Sequence, residues 1–169
     1  VDSINNPVKL FEKENSLQNL RIIDKDKYIP INTSELFFKL ISSSENNLTY
    51  RLETDNPEQY LEFSYTLEPE SYHVDYQIKY HNLDDKVSLD DVDLEWSMLG
   101  LSTEKLADDE RMTCSIMYRY QNEGRDYIGE RSDNVESIEG NLNWVAFKHK
   151  FFSSILISDE PIKEGELTQ

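Results

Sequence analysis

Tyr60-Leu61-Glu62-Phe63-Ser64-Tyr65-Thr66-Leu67-Glu68-Pro69-Glu70-Ser71-Tyr72-His73-Val74-Asp75-Tyr76-Gln77-Ile78-Lys79-Tyr80 reads at period two over most of its length. Leu61, Phe63, Tyr65 and Leu67 fall on one side of an extended chain, with Glu62, Ser64, Thr66 and Glu68 on the other, the pattern of a strand with one wet face. Alternation resumes after Pro69 as Tyr72, Val74, Tyr76, Ile78 and Tyr80. Proline can turn a chain but cannot donate to a ladder, so the two runs form an antiparallel hairpin. Upstream, Leu48, Tyr50 and Leu52 alternate with Thr49, Arg51 and Glu53, which predicts a three-strand meander over 47–53, 60–68 and 71–81.

The same reading extends outward. Val92, Leu94 and Trp96 face one way against Asp91, Asp93 and Glu95, a strand with an acidic outer row. Cys114, Ile116, Tyr118 and Tyr120 alternate again, and 121–125 with Gly124 forms the turn that follows. Residues 35–42 are apolar on both sides, as a buried strand would be. Residues 102–111 are mostly polar and read as a loop with room for one helical turn, and 129–141 has no usable period. No repeat and no Gly/Ser or Pro-rich linker divides the chain. These signals predict one mostly antiparallel β domain over 1–169, a sandwich or part of one. The start at Val1, without Met, leads to the expectation of a fragment, trimmed or processed from something longer.

Composition agrees and excludes several functions. The 169 residues are 37% hydrophobic, enough for a core, and include ten Tyr and seven Phe, residues that suit pleated surfaces. Seventeen Lys and Arg against 34 Asp and Glu give a net charge of −17, which repels nucleic acid. The same charge predicts weak or no binding to anionic vesicles at physiological salt. No apolar run approaches the ~20 residues that span a bilayer as a helix. The single Cys114 leaves neither an internal disulfide nor a cysteine metal motif.

Catalytic motifs are missing too. Five scattered glycines form no phosphate-cradling loop, and no Gly-x-Ser-x-Gly elbow occurs. A calcium loop starting at Asp91 would need glycine at its sixth position and meets Trp96. His73, His81 and His149 lack paired metal spacing, and His73 with Asp75 supplies two ligands where zinc needs more. Asn32-Thr33-Ser34 and Asn47-Leu48-Thr49 are triplets expected by chance in a chain this rich in Asn, Ser and Thr. No catalytic, cofactor or metal residue is assigned.

The stretch 143–157, Asn-Trp-Val-Ala-Phe-Lys-His-Lys-Phe-Phe-Ser-Ser-Ile-Leu-Ile, stands apart. At period two, Val145, Phe147, Phe151, Ile155 and Ile157 share a face; at helical period Trp144, Phe147, Phe151 and Ile155 also align. Aromatic and β-branched content favours strand, with a turn at Lys148–Lys150. Trp144, Phe147, Phe151 and Phe152 are the candidate structural and interaction residues. Phe147 and Phe151 are expected in the core and Phe152 at an interface. Lys148, His149 and Lys150 form a tight basic cluster in an acidic chain.

Trp144-Val145-Ala146-Phe147-Lys148-His149-Lys150-Phe151-Phe152-Ser153-Ser154-Ile155-Leu156-Ile157 resembles a signature near the C-terminal part of the large periplasmic domain of YidC-type membrane protein insertases. Residues 68–76, 7–11, 31–38 and 112–120 resemble further segments of that domain, and together they span most of 7–158 in the right order. The resemblance implies a twisted antiparallel β-sandwich, a supersandwich shared with aldose mutarotases. It implies a place in the periplasm, between a first transmembrane helix and a five-helix core. The parent would act as insertase and chaperone for inner-membrane proteins, alone or with the Sec translocon, so nascent membrane proteins and Sec components are its implied partners. This chain is shorter than the usual domain and lacks the Gly-Gly turn of its first strands, which points to a partial domain. It also lacks the hydrophilic groove and helical hairpin of the insertion machinery. It is expected to be a monomer, without cofactor, that does not itself insert into the membrane.

A carbohydrate-binding or mutarotase-like module on the same fold is the alternative, and it needs histidine and carboxylates converging in a cleft. The purified chain is expected not to accelerate epimerisation of a free aldose, followed by polarimetry. A rate above buffer that is lost on His73→Ala or His149→Ala would select the alternative.

Overall fold

The computed structural model describes residues 9, 11–99, 101, 107–129 and 135–169. They form eleven strands: β1 Ser16–Asp24, β2 Pro30–Asn32, β3 Lys39–Ser43, β4 Asn47–Glu53, β5 Tyr60–Leu67, β6 Val74–His81, β7 Val87–Met98, β8 Ser115–Tyr120, β9 Arg125–Gly129, β10 Val135–Lys148 and β11 Ser153–Thr168. The one α-helix among the described residues, α1, is the short Ala107–Arg111. The fold is all-β, and the described residues form three antiparallel sheets that close no barrel among them. Its contacts divide it into two compact units, Leu17–Ser97 and a second formed by Met98–Gln169 with the chain up to Ser16.

In the first unit the expected three-strand meander forms as β4-β5-β6, and β3 extends it at the β4 edge. The register Leu52↔Leu61↔Tyr80 and Tyr50↔Phe63↔Ile78 lines apolar residues along one face, as the alternation requires. That face packs on a second sheet, β2-β1-β7, so that Leu20, Ile22, Leu61, Leu83 and Val87 form a buried core with Phe38, Phe63 and Tyr80 against it. This is a two-sheet sandwich. Asn19, 4% exposed, is paid for by three side-chain bonds. Its Nδ2 donates to Asn32 Oδ1 and Glu95 Oε2, both at 3.3 Å, and its Oδ1 accepts from the Ser34 amide at 3.1 Å. The acidic row Asp91, Asp93 and Glu95 is exposed, as expected, and Asp93 pairs with Arg21.

Two expectations shift here. β6 begins at Val74 because Glu68–Ser71 is a turn closed by Ser71 N to Glu68 O at 3.2 Å, with Pro69 second and Glu70 third at φ 58°. Residues 71–73 are spent leaving it, so Tyr72 projects fully into solvent instead of joining Val74. Residues 35–42 are no buried strand. A 3-10 turn at Thr33–Glu35 precedes them, Phe37 lies exposed in the connection, and β3 is an exposed edge strand with a bulge between Leu40 and Ser42.

The second unit is one sheet in the order β11-β10-β8-β9. The β10–β11 hairpin is long and its register shifts between Glu139 and Trp144. Gly140 sits there at φ +144°, a backbone state that favours glycine, and a Cβ at this position would make ordinary contact with the Tyr120 ring at 3.6 Å. Past this irregularity Ile138 joins Ile116, Tyr118, Ile128, Leu142 and Val145 in one buried cluster, with Leu167 packed on it. Gln169 Oε1 accepts from the Ile116 amide at 3.2 Å and ties the chain end to β8. The sequence between 129 and 141 shows no period because this bend breaks it; 130–134 lie outside the described residues, as do 102–106 of the expected loop. The helical turn allowed there falls at Ala107–Arg111.

Burial holds several phenols neutral. Tyr80 is pushed up to about 12, and Tyr65 and Tyr76, stacked at 4.9 Å, are raised by the same desolvation. Folding therefore disfavours tyrosinate: stability contributed by Tyr80 is intact below pH 10, its unfolded value, and is lost as pH rises towards about 12. The Tyr80 hydroxyl is also buried with no hydrogen-bond partner among the described residues. Urea midpoints measured across this alkaline range should fall steeply, and Tyr80→Phe should match or exceed the natural chain at pH 7 and lose less above pH 10. A midpoint lowered at pH 7 by Tyr80→Phe would show that the hydroxyl is satisfied.

Candidate functional site

The 144–157 segment is the β10–β11 hairpin end. Lys148 pairs with Ser153, and the four residues between them close through a 2.8 Å bond from His149 N to Phe152 O. Strand parity holds up to Lys148 and restarts at Ser153. Val145 lies between Tyr118 on β8 and Leu156 on β11, and Phe147 between Ile116 and Ser154, so these residues face the core cluster. Trp144, Ala146 and Lys148 face the other way, half-buried, buried and half-buried in turn.

Of the four candidate residues, Phe147 packs on the core as expected, and Trp144 stands on the outer face next to Ile157. Phe151 is the correction: it is 60% exposed, not core. It sits in the connection, where the alternation that put it in line with Phe147 no longer applies. Phe152, also in the connection, is 41% exposed, so the two rings project together at the hairpin tip. Lys150 Nζ lies 5.4 Å from the Phe151 ring centre. Ile155 and Ile157, read as partners of Phe147 on the apolar face, lie on the outer face at 56% and 61% exposed. The expected turn at Lys148–Lys150 is displaced by about one residue towards the C-terminus.

Under the tip, Glu110, His149, Phe151 and Phe152 help line a cavity of about 20 Å³, room for one water molecule. Cys114 Sγ approaches His149 Nδ1 at 4.0 Å and the Glu110 carbonyl at 3.4 Å. Thirty-five residues separate the thiol from the imidazole, and no local pattern marks them as neighbours. Their separation exceeds the roughly 2.6–3.2 Å over which a base takes a proton in oxygen and nitrogen systems. His73 is exposed beside the Pro69 turn, and His81 stacks on Tyr60 at 4.1 Å between ring centres. No group of three or more His, Cys, Asp or Glu fit to hold a metal ion occurs among the described residues.

Phe147→Ala is expected to cost about 2–4 kcal/mol, somewhat under the full penalty for a buried phenylalanine because the ring is partly accessible. Phe151→Ala is expected to stay within about 0.5 kcal/mol of the natural chain. Urea unfolding of both variants checks the contrast, and a large loss from Phe151→Ala would return that ring to the core.

Comparison with known proteins agrees with the hairpin signature. The sequence profile of the YidC periplasmic domain matches residues 1–168. A protein of Bacteroides fragilis named membrane protein insertase YidC is 29% identical over 160 residues, 94% of this chain and 25% of its own length. Those of Porphyromonas gingivalis and Azobacteroides pseudotrichonymphae, named alike, are 30% identical over 166 residues and 27% over 165, each covering 96% of this chain and about a quarter of the relative. No solved structure matches significantly. The chain spans about a quarter of the length of the relatives it matches. A match over practically the whole chain, with strands where the alternation sets them, means that this chain belongs to the YidC periplasmic domain family.

Proposed function

We propose that the chain is a non-catalytic domain on the periplasmic side of the inner membrane, part of an insertase and chaperone that inserts and folds membrane proteins, alone or with the Sec translocon. The observation that carries this reading is the family match over residues 1–168, joined to relatives that all bear the insertase name. Two features support a non-catalytic role. The three histidines lie apart from one another, on a turn, in an aromatic stack and under the hairpin tip, and the cavity at that tip admits little more than water. The sugar-module alternative needs a cleft where histidine and carboxylates converge, and the cavity that His149 lines with Glu110 has room for about one water molecule, not a sugar ring. The domain works as a monomer attached to its parent, whose substrates are nascent membrane proteins.

Sidedness and function can be tested in the full-length parent. With Cys114→Ser removing the natural thiol and Ser44→Cys adding one on the exposed stretch after β3, a membrane-impermeant maleimide is expected to label intact spheroplasts. The same protein should restore membrane insertion of pulse-labelled inner-membrane proteins when the cell's own insertase is depleted. Labelling only after lysis would overturn the periplasmic placement; failure to restore insertion would overturn the insertase role.

A further inference from the structure

The acidic residues are spread through the chain with two long interruptions, 140–158 and 111–122, the longest stretches free of Asp and Glu. The fold sets these side by side, because β8 pairs with β10 and β10 with β11. Across the outer face of that sheet run three cross-strand rows: Ile157, Trp144, Arg119, Arg125; then Ile155, Ala146, Met117, Tyr127; then Ser153, Lys148, Ser115, Gly129. Three cations and no carboxylate occupy these twelve positions, in a chain with twice as many acids as bases. Ile155, Ile157 and Tyr127, the last 66% exposed, leave its middle apolar. The adjoining tip adds Phe151, Phe152 and the Lys150 ammonium, over a cavity that the buried Glu110 also lines. Asp159 and Glu160 mark where the face ends along β11.

We infer that this face and the hairpin tip form a peripheral docking surface for an anionic lipid bilayer, with Phe151 and Phe152 entering the headgroup region and the exposed Arg119 and Arg125 meeting lipid phosphates, while Lys148, whose Nζ donates to the Thr113 carbonyl at 2.8 Å, adds positive charge beneath them. Charge complementarity commits the surface to this occupant: aromatic and aliphatic groups at the centre suit the interfacial zone, and the cations suit a negative leaflet. A net charge of −17 argues against anionic vesicles only if charge acts from everywhere at once. Exposed charges are screened beyond about 8 Å at physiological salt, so the face that touches the lipid decides. The docking is shallow and leaves the fold intact; no strand or helix inserts. It goes beyond the insertase reading and does not depend on it, since the test needs only the chain and lipid.

The 169-residue chain carrying Trp96→Phe retains Trp144 as its one tryptophan. It is expected to cosediment with vesicles of 7:3 phosphatidylcholine to phosphatidylglycerol at 0.15 M salt, with Trp144 fluorescence quenched by brominated lipid, and to bind phosphatidylcholine alone far less. Arg119→Glu with Arg125→Glu should weaken binding by about fivefold or more for each cation removed. Lys79→Glu with Lys86→Glu, an equal charge change in the other unit, should leave it unchanged. Phe151→Ser with Phe152→Ser, in a connection outside the ladder, should reduce binding while circular dichroism stays native. No binding to either vesicle, equal loss from both charge-reversal pairs, or no effect of the phenylalanine pair would overturn the inference. Retention on immobilised polyglutamate without vesicle binding would overturn it too, in favour of an acidic protein partner.

Discussion

Strand β10 is hydrogen-bonded along both edges, and its register against β8 and β11 is the constraint on which the second unit depends. Over 144–148, with Val145 between Tyr118 and Leu156, odd residues enter the core and even ones face out, whereas before the register shift the even residues Ile138 and Leu142 are the buried ones. A slip of one residue would drive Lys148 and Trp144 inwards and turn Val145 and Phe147 out, at a cost of several buried side chains. Gly140, at a positive φ that other residues rarely adopt, releases the strand from this register where the hairpin needs to bend. The core cluster, the outer cationic face and the position of the hairpin tip all follow from that one alignment.

What was legible in the sequence is what a single wet face imposes. β4 and β5 fall at the predicted limits, to within one residue, because polar and apolar residues alternate without exception there. β6 begins late because a turn with Glu70 at positive φ needs Ser71 to His73 to rejoin the ladder, and alternation through Tyr72 mimics strand. β1 was invisible for a different reason. Asn19 and Leu20 are both buried, the asparagine held by a polar network that composition treats as surface. In 35–42 apolar content on both sides imitated burial, although Phe37 precedes the strand and Ile41 lies at its bulge.

The site was half legible. Phe147 and Trp144 keep strand parity and could be assigned to opposite faces from sequence. Phe151 could not, since it stands three residues into a connection whose closing bond, His149 N to Phe152 O, resets the phase before β11. Ile155 and Ile157 were carried to the wrong face by the same continuation. The approach of Cys114 to His149 depends on pairing across thirty-odd residues, for which a single sequence holds no signal.

Folding needs explain little of the hairpin tip. Four-residue connections are served by Gly, Asn, Asp and Ser, whose backbone freedom or local hydrogen bonds match the turn. This one instead spends His, Lys and two phenylalanines, and leaves both rings in solvent. Core formation does not require them, since the buried cluster of the unit contains neither. Nor is local composition the cause of the surrounding charge pattern. The two acid-free stretches are separated in the chain by a segment carrying Glu123, Asp126, Glu130, Asp133, Glu136 and Glu139, and only the β8–β10 pairing brings them together. Asp126, the carboxylate of β9 itself, pairs with Tyr118 and so falls on the opposite face. The segregation is thus a property of the folded surface, produced by register, and it puts the exposed phenylalanines at the border of a cationic, apolar sheet face. Solubility alone would favour acids at those positions, as it does along β7; a surface that departs from the rest of the chain in both charge and polarity is one shaped by contact with something else.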